Sequence, residues 1–324
     1  MSHIKISVAI ALFNGAKYIE EQLHSIINQS IHPDEIIICD DLSTDNSVDK
    51  IINFSTIFSF KIILIKNTHR LGFAQNFGKA LSYCTGDIIF LADQDDVWLP
   101  HKIETILYKF KRNKGSWLYL HDGELTDENL LPSGYTKFEQ VKRVLGKNAR
   151  LTTGALTAIT SELKDIALPI PLSIKSHDTW IHSLSDISPA RVVVIDEVLQ
   201  YIRRHSTNTS NGIINSIDKI KLIDIFISKF SHKASISYND RLYFNRELIS
   251  RIEDRKFQFK KNNVYKTITT YIENLEKEYK SIVQRQEFIH FSRFKKIIYA
   301  FKFLLNGGYK HFNGIQSFLL DILR

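Results

Sequence analysis

Three carboxylates fall within four residues at Asp93-Gln94-Asp95-Asp96, immediately after an apolar run over residues 87–92. Hard divalent cations such as Mg²⁺ or Mn²⁺ take oxygen ligands and commonly bridge one or two carboxylates to substrate phosphates. Without a cation, carboxylates this close repel one another and raise each other's pKa. The cluster therefore predicts a divalent metal held against substrate phosphates; the plain alternative is a solvated acidic turn capping the next helix. A second pair, Asp40-Asp41, follows the apolar run 35–39. A carboxylate there can accept a hydrogen bond from a nucleobase N–H or a ribose hydroxyl, or serve as a cap for a helix near 46–54.

The elements that must position these groups are legible in the periodicity. Residues 4–12 form a largely β-branched apolar run, read as a buried strand. Asn14 reads as the cap of a helix in which Ile19, Leu23, Ile26 and Ile27 recur at helical spacing. Strands at 35–39, 60–65 and 87–92 alternate with helices at 46–54, 72–83 and one opened by Trp98-Leu99-Pro100. That alternation predicts an α/β fold, a mixed, mostly parallel sheet flanked by helices, in which ligands bind beyond the carboxyl ends of the strands. Both carboxylate clusters lie at such ends and are expected to share one crevice. After residue 116 the pattern changes, with strands at 117–120, 151–160, 191–195 and 197–203 and a short helix at 177–184.

The ordered segments Val8-Ala9-Ile10-Ala11-Leu12-Phe13-Asn14-Gly15, Asp40-Asp41-Leu42-Ser43-Thr44-Asp45, Asn67 to Asn76 with Leu71-Gly72-Phe73-Ala74, Thr85-Gly86-Asp87 and Asp93-Gln94-Asp95-Asp96-Val97-Trp98 resemble the motifs of family-2 inverting glycosyltransferases of the GT-A (Rossmann-like) fold. Within that family the chain is most similar to bacterial rhamnosyltransferase-type enzymes. The resemblance implies an inverting, metal-dependent transfer from a nucleotide-diphosphate sugar to a saccharide or lipid-linked glycan in cell-surface polysaccharide synthesis. It favours dTDP-rhamnose as donor, with a UDP-hexose as the other candidate.

Residue by residue, the resemblance implies that Asp40 and Asp41 contact the base, and that Ala11, Asn14 and Asn76 line the nucleotide site. Asp93 and Asp95 match the metal-binding DxD motif, with Asp96 behind them or at the ribose. Thr153-Gly154-Ala155 resembles a small-residue strand beside the acceptor. His177-Asp178-Thr179-Trp180 resembles the segment carrying the catalytic base, which assigns that role to Asp178 and puts Trp98, Gly154, His177 and Trp180 on the acceptor side. A base within reach of the acceptor hydroxyl is what inversion by direct displacement requires. Tyr201-Ile202-Arg203-Arg204-His205 stands where processive relatives carry Gln-x-x-Arg-Trp. That motif is absent, which argues for single transfers. His205 is a candidate third metal ligand, and Arg203 or Arg204 a candidate to neutralise the leaving group.

The chain has 324 residues, 44% of them apolar, and carries a net charge of +8. Residues 211–324 hold 21 Lys and Arg against 11 Asp and Glu, so the excess is C-terminal. This divides the chain into a catalytic domain at 1–210, with a nucleotide half at 1–115 and an acceptor half at 116–210, and a basic, mainly helical extension at 211–324. Residues 291–324 mix Lys and Arg with bulky apolar residues and are expected to meet an anionic membrane surface, pack on the core, or form a homo-oligomer. No export signal or spanning helix is visible, so the expected location is cytoplasmic, peripheral on the inner face of the cell membrane. Cys39 and Cys84 read as buried small hydrophobes. Two rival readings are a sugar-phosphate nucleotidyltransferase, which would carry a Gly-rich phosphate loop near its start, and a lipid- or nucleic-acid-binding module. The near-neutral first 210 residues argue against nucleic acid as a partner.

Overall fold

The computed structural model describes residues 3–58, 60–146, 149–208, 213–221, 224, 238–256, 265–312 and 314–323. The chain forms two compact units, Met1–Ala234 and Ser235–Arg324.

The first unit is built on a mixed sheet of nine strands among the described residues. In chain order it runs β1 (Ile6–Leu12), α1 (Ile19–Ile27), β2 (Glu35–Asp40), α2 (Ser47–Ile57), β3 (Ile62–Lys66), α3 (Phe73–Tyr83), β4 (Ile88–Ala92), β5 (Val97–Trp98) and α4 (Lys102–Arg112). It continues with β6 (Leu118–Thr126), β7 (Pro132–Thr136), α5 (Lys137–Leu145), β8 (Thr157–Thr160), α6 (Ser161–Ala167), α7 (His177–Ser185) and β9 (Val192–Arg203). The strand order is β3-β2-β1-β4-β8-β6-β9-β5, with β7 paired to β6. The first four strands are mutually parallel, and β8 enters antiparallel between β4 and β6. This is the α/β mixed sheet flanked by helices that the sequence predicts.

The central strands are covered on both faces, which is why they read as continuous Ile and Val runs rather than alternating ones. Ile36, Ile37 and Ile38 are all fully buried. Helix α1 lays Ile19, Leu23, Ile26 and Ile27 against this layer. The register sets the site: Leu12 pairs with Asp40, and Ile10 pairs with Ala92. The carboxyl ends of β1, β2 and β4 therefore finish side by side, and both acidic clusters emerge at one edge. At the opposite end, the buried Glu35 binds Ser7, Thr85 and Lys61.

Several local expectations are corrected. Asn14 does not cap α1; its backbone is left-handed (φ 48°) and the helix begins four residues after Gly15. Trp98 lies on the two-residue strand β5, paired with Gln200 of β9, and α4 starts later. Residues 151–160 are not one strand: Gly154–Leu156 is a 3-10 turn and only Thr157–Thr160 joins the sheet. The two strands expected at 191–203 are one continuous β9. The hairpin strand β7 and helix α5, the latter opened by a Thr136–Glu139 capping box, are additional elements. Cys39 and Cys84 are free and buried, and burial pushes both thiols up to about 12.

The second unit contains α8 (Tyr238–Asp254), α9 (Tyr265–Ile289), α10 (Arg293–Leu305) and α11 (Ile315–Leu323). Its core gathers Phe288, Ala300, Phe303, Tyr309 and Phe318. Across it, Arg285 grips Asp321 through two hydrogen bonds of 2.8 and 2.9 Å, and the Tyr309 hydroxyl donates to the same carboxylate at 2.8 Å. No helix among the described residues is long and apolar enough to cross a membrane.

Candidate active site

The loop after β4 is fastened on three sides. Gln94 exchanges two hydrogen bonds with the backbone of Phe13, at 2.9 and 3.1 Å, locking it to the loop after β1. Gly15 sits so close that a Cβ there would fall 2.7 Å from the Gln94 side-chain oxygen. Gln22 of α1 donates to the Asp93 carbonyl at 3.0 Å. Strand β5 then hydrogen-bonds to β9, bringing residues 200–205 against the acidic loop.

The three carboxylates of this loop have different surroundings. Asp96 is buried, accepting from the Gln200 amide at 2.8 Å and from the Arg203 N–H at 3.0 Å. Burial, then Asp95 and Asp93, push its pKa well up. Gln200 also accepts from the Lys102 ammonium at 2.6 Å, and that ammonium lies 3.8 Å from the Trp98 ring centroid. Lys102 is sealed from solvent, so burial drives its pKa well down against the pull of Asp96 and Asp93. Asp95 is tied to His205, Nε2 to Oδ2 2.8 Å, with Asn208 donating to the same oxygen at 3.2 Å. Asp93 accepts no side-chain hydrogen bond from any described residue. Burial, then the charges of Asp95 and Asp178, raise it to about 7.

Oxygen and imidazole donors beside a carboxylate raised by burial and by two neighbouring carboxylates suit a hard divalent cation, which would offset that repulsion. The expected trio Asp93, Asp95 and His205 is nevertheless not a closed cage. Among the described residues no group of three His, Cys, Asp or Glu converges to hold a metal alone. Phosphate oxygens and water would have to complete any coordination.

Arg203 is wholly engaged in fastening the loop. Its Nε donates to the Asp95 carbonyl at 2.8 Å, one terminal nitrogen donates to the Glu128 carbonyl at 2.6 Å and the other to Glu21, over the Tyr18 ring. Its guanidinium is therefore a brace. Arg204 lies in the field of Asp96, Asp95 and Asp93, while burial lowers its pKa.

At the ends of β1 and β2, Asp41 is saturated by protein donors. The N–H groups of Leu71 and Gly72 reach it at 2.7 and 2.9 Å, Asn67 at 3.0 Å and Arg70 at 3.2 Å. Burial raises its pKa, but these hydrogen bonds outweigh it and hold the carboxyl below its usual range. Asn76 donates to the Cys39 carbonyl at 2.7 Å and accepts from Asn67 at 2.9 Å, joining two strand ends. Asp41 and Asn76 thus organise the loop, while Asp40 receives the Ser43 N–H at 3.2 Å. Ala11 is half-buried on β1. Asn14 accepts from the Thr44 N–H at 2.8 Å. The Arg70 guanidinium lies 3.4 Å from the Phe13 ring centroid, making a flat, half-exposed platform beside them.

Asp178 stands at the first turn of α7, whose cap is Ser176. Its carboxylate accepts from the Ser176 hydroxyl and, at 2.7 Å, from the Thr179 N–H. Burial raises its pKa, and His177 with these donors outweighs that, leaving it lowered. The neighbouring His177 stacks on Phe77 at 4.0 Å, both ring nitrogens buried without hydrogen-bond partners. Gly154 leaves the room for this ring: a Cβ there would fall 2.6 Å from His177 Nε2. Trp98 and Trp180, expected on the acceptor side, are interior. Trp180 is fully buried with its indole N–H on the Ala167 carbonyl at 2.9 Å, supporting α7 from behind.

Sequence reasoning gives no individual role to Asn67 and Gln94, which it names only within motifs, and does not single out Lys102 or Gln200. Lys102 did leave a signal, a lysine four residues before Ile106 on the apolar stripe of α4. The partners of Gln94 and Gln200 lie 81 and 104 residues away and leave none.

The sequence profile of glycosyl transferase family 2 matches residues 7–162. Among curated proteins, the chain is 25% identical over 248 residues to the uncharacterized glycosyltransferase MJ1057 of Methanocaldococcus jannaschii, covering 74% of this chain and 83% of that one. It is 29% identical over 119 residues to the Escherichia coli UDP-Glc:alpha-D-GlcNAc-diphosphoundecaprenol beta-1,3-glucosyltransferase WfgD, covering 37% of this chain and 46% of that one. It is 35% identical over 102 residues to the dTDP-rhamnosyl transferase RfbG of Shigella flexneri, covering 30% and 35%. The match thus spans under half the length of these last two. Among solved structures, S. aureus TarS in complex with UDP superposes with a TM-score of 0.53 at 16% identity, covering 98% of this chain and 90% of that one. A Pyrobaculum calidifontis mannosyltransferase in complex with GDP-Man and Mn²⁺ gives 0.50 at 15% identity, covering 85% and 70%. Both likenesses concern the fold, GT-A.

Proposed function

We propose that this chain, a glycosyltransferase belonging to family 2 through its residues 7–162, moves a sugar with inversion from a nucleotide-diphosphate donor to a saccharide or lipid-linked glycan in cell-surface polysaccharide synthesis. The reading rests on one observation above the others. Leu12 pairs with Asp40 and Ile10 with Ala92, and Gln94 exchanges hydrogen bonds with the Phe13 backbone, so the Asp40-Asp41 and Asp93-to-Asp96 clusters stand together at the carboxyl ends of β1, β2 and β4.

In this reading the ends of β1 and β2, with Asp40 and the Phe13–Arg70 platform, receive the nucleoside. The diphosphate lies toward Asp93, Asp95 and Arg204. A divalent cation, Mg²⁺ or Mn²⁺, would be held by Asp95 with Asp93 and His205 beside it, and would supply charge neutralisation for the leaving diphosphate. Asp178, kept ionised by the Ser176 hydroxyl and the Thr179 N–H, accepts the acceptor hydroxyl's proton. That oxygen forms the new bond to the anomeric carbon as the bond to the diphosphate oxygen breaks, its electron pair leaving with the nucleoside diphosphate. The likeness to WfgD and RfbG supports UDP-glucose or dTDP-rhamnose as the donor, with dTDP-rhamnose the first to test.

The test is a donor panel of dTDP-rhamnose, UDP-glucose and GDP-mannose with Mn²⁺, scored by the nucleotide released and the anomeric configuration formed. Nucleoside diphosphate and an inverted product are expected. Pyrophosphate, or a retained configuration, overturns the reading.

A further inference from the structure

The second unit presents a surface that the glycosyl-transfer reading does not use. Helix α10 leaves Phe294, Ile298, Phe301 and Leu305 exposed, at 78, 41, 49 and 84%. Their spacing of four, three and four residues puts them on one face. The opposite face, with Lys296, Ala300 and Phe303, is buried in the unit's core. Helix α11 repeats the pattern: Ile315, Leu319 and Leu323 are exposed at 68, 46 and 74%, while Ser317, Phe318 and Asp321 are buried. The two helices meet through Phe301 and Phe318, ring centroids 4.9 Å apart. A soluble surface shows single exposed apolar residues routinely; two stripes on adjoining helices are a patch.

The charges around the stripes are of one sign. On α10, Lys295 and Lys302 flank the apolar face on one side and Arg293 on the other, all exposed. Lys310, between the two helices, is exposed as well. Between residues 290 and 324 the sequence has a single carboxylate, Asp321. It is buried and consumed by Arg285 and Tyr309. The one side-chain carboxylate of this segment is therefore turned inward. Lys295 also lies 4.2 Å from the Phe291 ring centroid, keeping its charge at the apolar border.

We infer that α10 and α11 form a docking surface for an anionic lipid bilayer, with the apolar stripes entering the headgroup boundary and Arg293, Lys295, Lys302 and Lys310 meeting lipid phosphates. An aromatic and aliphatic face flanked by basic residues is the composition that binds an interface in-plane, and each basic residue adds attraction to anionic lipid. A second copy of this chain fits less well, because two such surfaces would bring like charges together.

The full-length protein is floated with vesicles of phosphatidylcholine alone and with vesicles containing phosphatidylglycerol, at low and high salt. Two variants are compared: Lys295→Glu/Lys302→Glu, and Phe294→Ser/Leu305→Ser. All four side chains are exposed, so both variants are expected to keep the parent's unfolding midpoint. The parent should float with the anionic vesicles only, less at high salt. The charge variant should partition at least ~25-fold more weakly and the apolar variant at least ~10-fold. No flotation of the parent, equal flotation with phosphatidylcholine, or unchanged flotation of both variants overturns the inference. So does self-association in sedimentation velocity that the apolar variant abolishes while the parent ignores vesicles. The salt dependence of the parent decides the matter even if a variant misfolds.

Discussion

His205 Nε2 lies 2.8 Å from Asp95 Oδ2, a contact closed across 110 residues by the pairing of β5 with β9. It joins the acidic loop to the end of the last strand; Thr207 holds the imidazole Nδ1 at 2.9 Å, and Asn208 accepts from the His205 backbone N–H at 2.7 Å while donating to Asp95 at 3.2 Å. Replacing Asp95 by Asn keeps the shape and a hydrogen bond but removes the charge. Turnover is expected to fall by ~100-fold or more, with loss of the Mn²⁺-dependent thermal shift in the presence of nucleoside diphosphate. Retention of that shift in Asp95→Asn would sink the metal assignment.

Asp178→Asn should lower kcat by ~10²–10⁴-fold while leaving donor binding nearly intact. Isothermal titration with the nucleoside diphosphate, beside steady-state rates, separates the two effects. Near-parental turnover at saturating donor and acceptor would remove Asp178 from the mechanism.

Gly154→Ala tests the packing that holds this carboxylate in place. The new methyl would meet His177 Nε2 at 2.6 Å, and His177 cannot retreat because it is stacked on Phe77. A loss of ~1–3 kcal/mol in stability is expected, together with reduced kcat as the start of α7 shifts. A double-mutant cycle with His177→Ala should show the two changes partly cancelling. Strict additivity would mean the ring is not what the glycine makes room for.

The pH dependence has two limbs of opposite sign. Burial lowers both His177 and His182 to about 4. Their contribution is complete above the unfolded value near 6.5 and is lost as pH falls from about 6.5 towards 4, by at most ~3 kcal/mol each. Asp93 is raised to about 7, so its contribution runs the other way: stability is lost as pH climbs from about 4 to 7. Thermal unfolding between pH 4 and 8 reads both. His182→Gln, which preserves a partner for Thr157, should flatten the acid limb, and Asp93→Asn the rising one. An unchanged acid slope in His182→Gln would contradict the burial argument.

The strands that carry the site were legible because residues 6–12, 35–40 and 88–92 are covered on both faces and read as unbroken apolar runs. The acidic clusters were legible because carboxylates at strand ends stand out against that background. What escaped was set by distant partners. Whether Asp41 faces a ligand or the protein depends on where Asn67, Arg70, Leu71 and Gly72 come to rest, which no local pattern records. The motif puts Trp98 and Trp180 on the acceptor side, but an aromatic in a motif carries no mark of which way it faces, and both are interior. Helix α5 escaped although its signals are local, with Thr136 and Glu139 at capping-box spacing and Phe138, Val141 and Val144 recurring every third residue.

The chain from the Lys102 ammonium through Gln200 to Asp96 also bears on how such a sequence can change over time. Losing either one alone leaves the other buried with only neutral partners, Gln200 and the Arg203 N–H for Asp96, Gln200 and the Ala155 carbonyl for Lys102, a costlier step than replacing both. Positions 96, 102 and 200 are therefore expected to drift as a set, and a descendant that has exchanged one will have exchanged its companions. The acidic loop thus inherits its tolerance for substitution from a buried residue on α4, outside the loop itself.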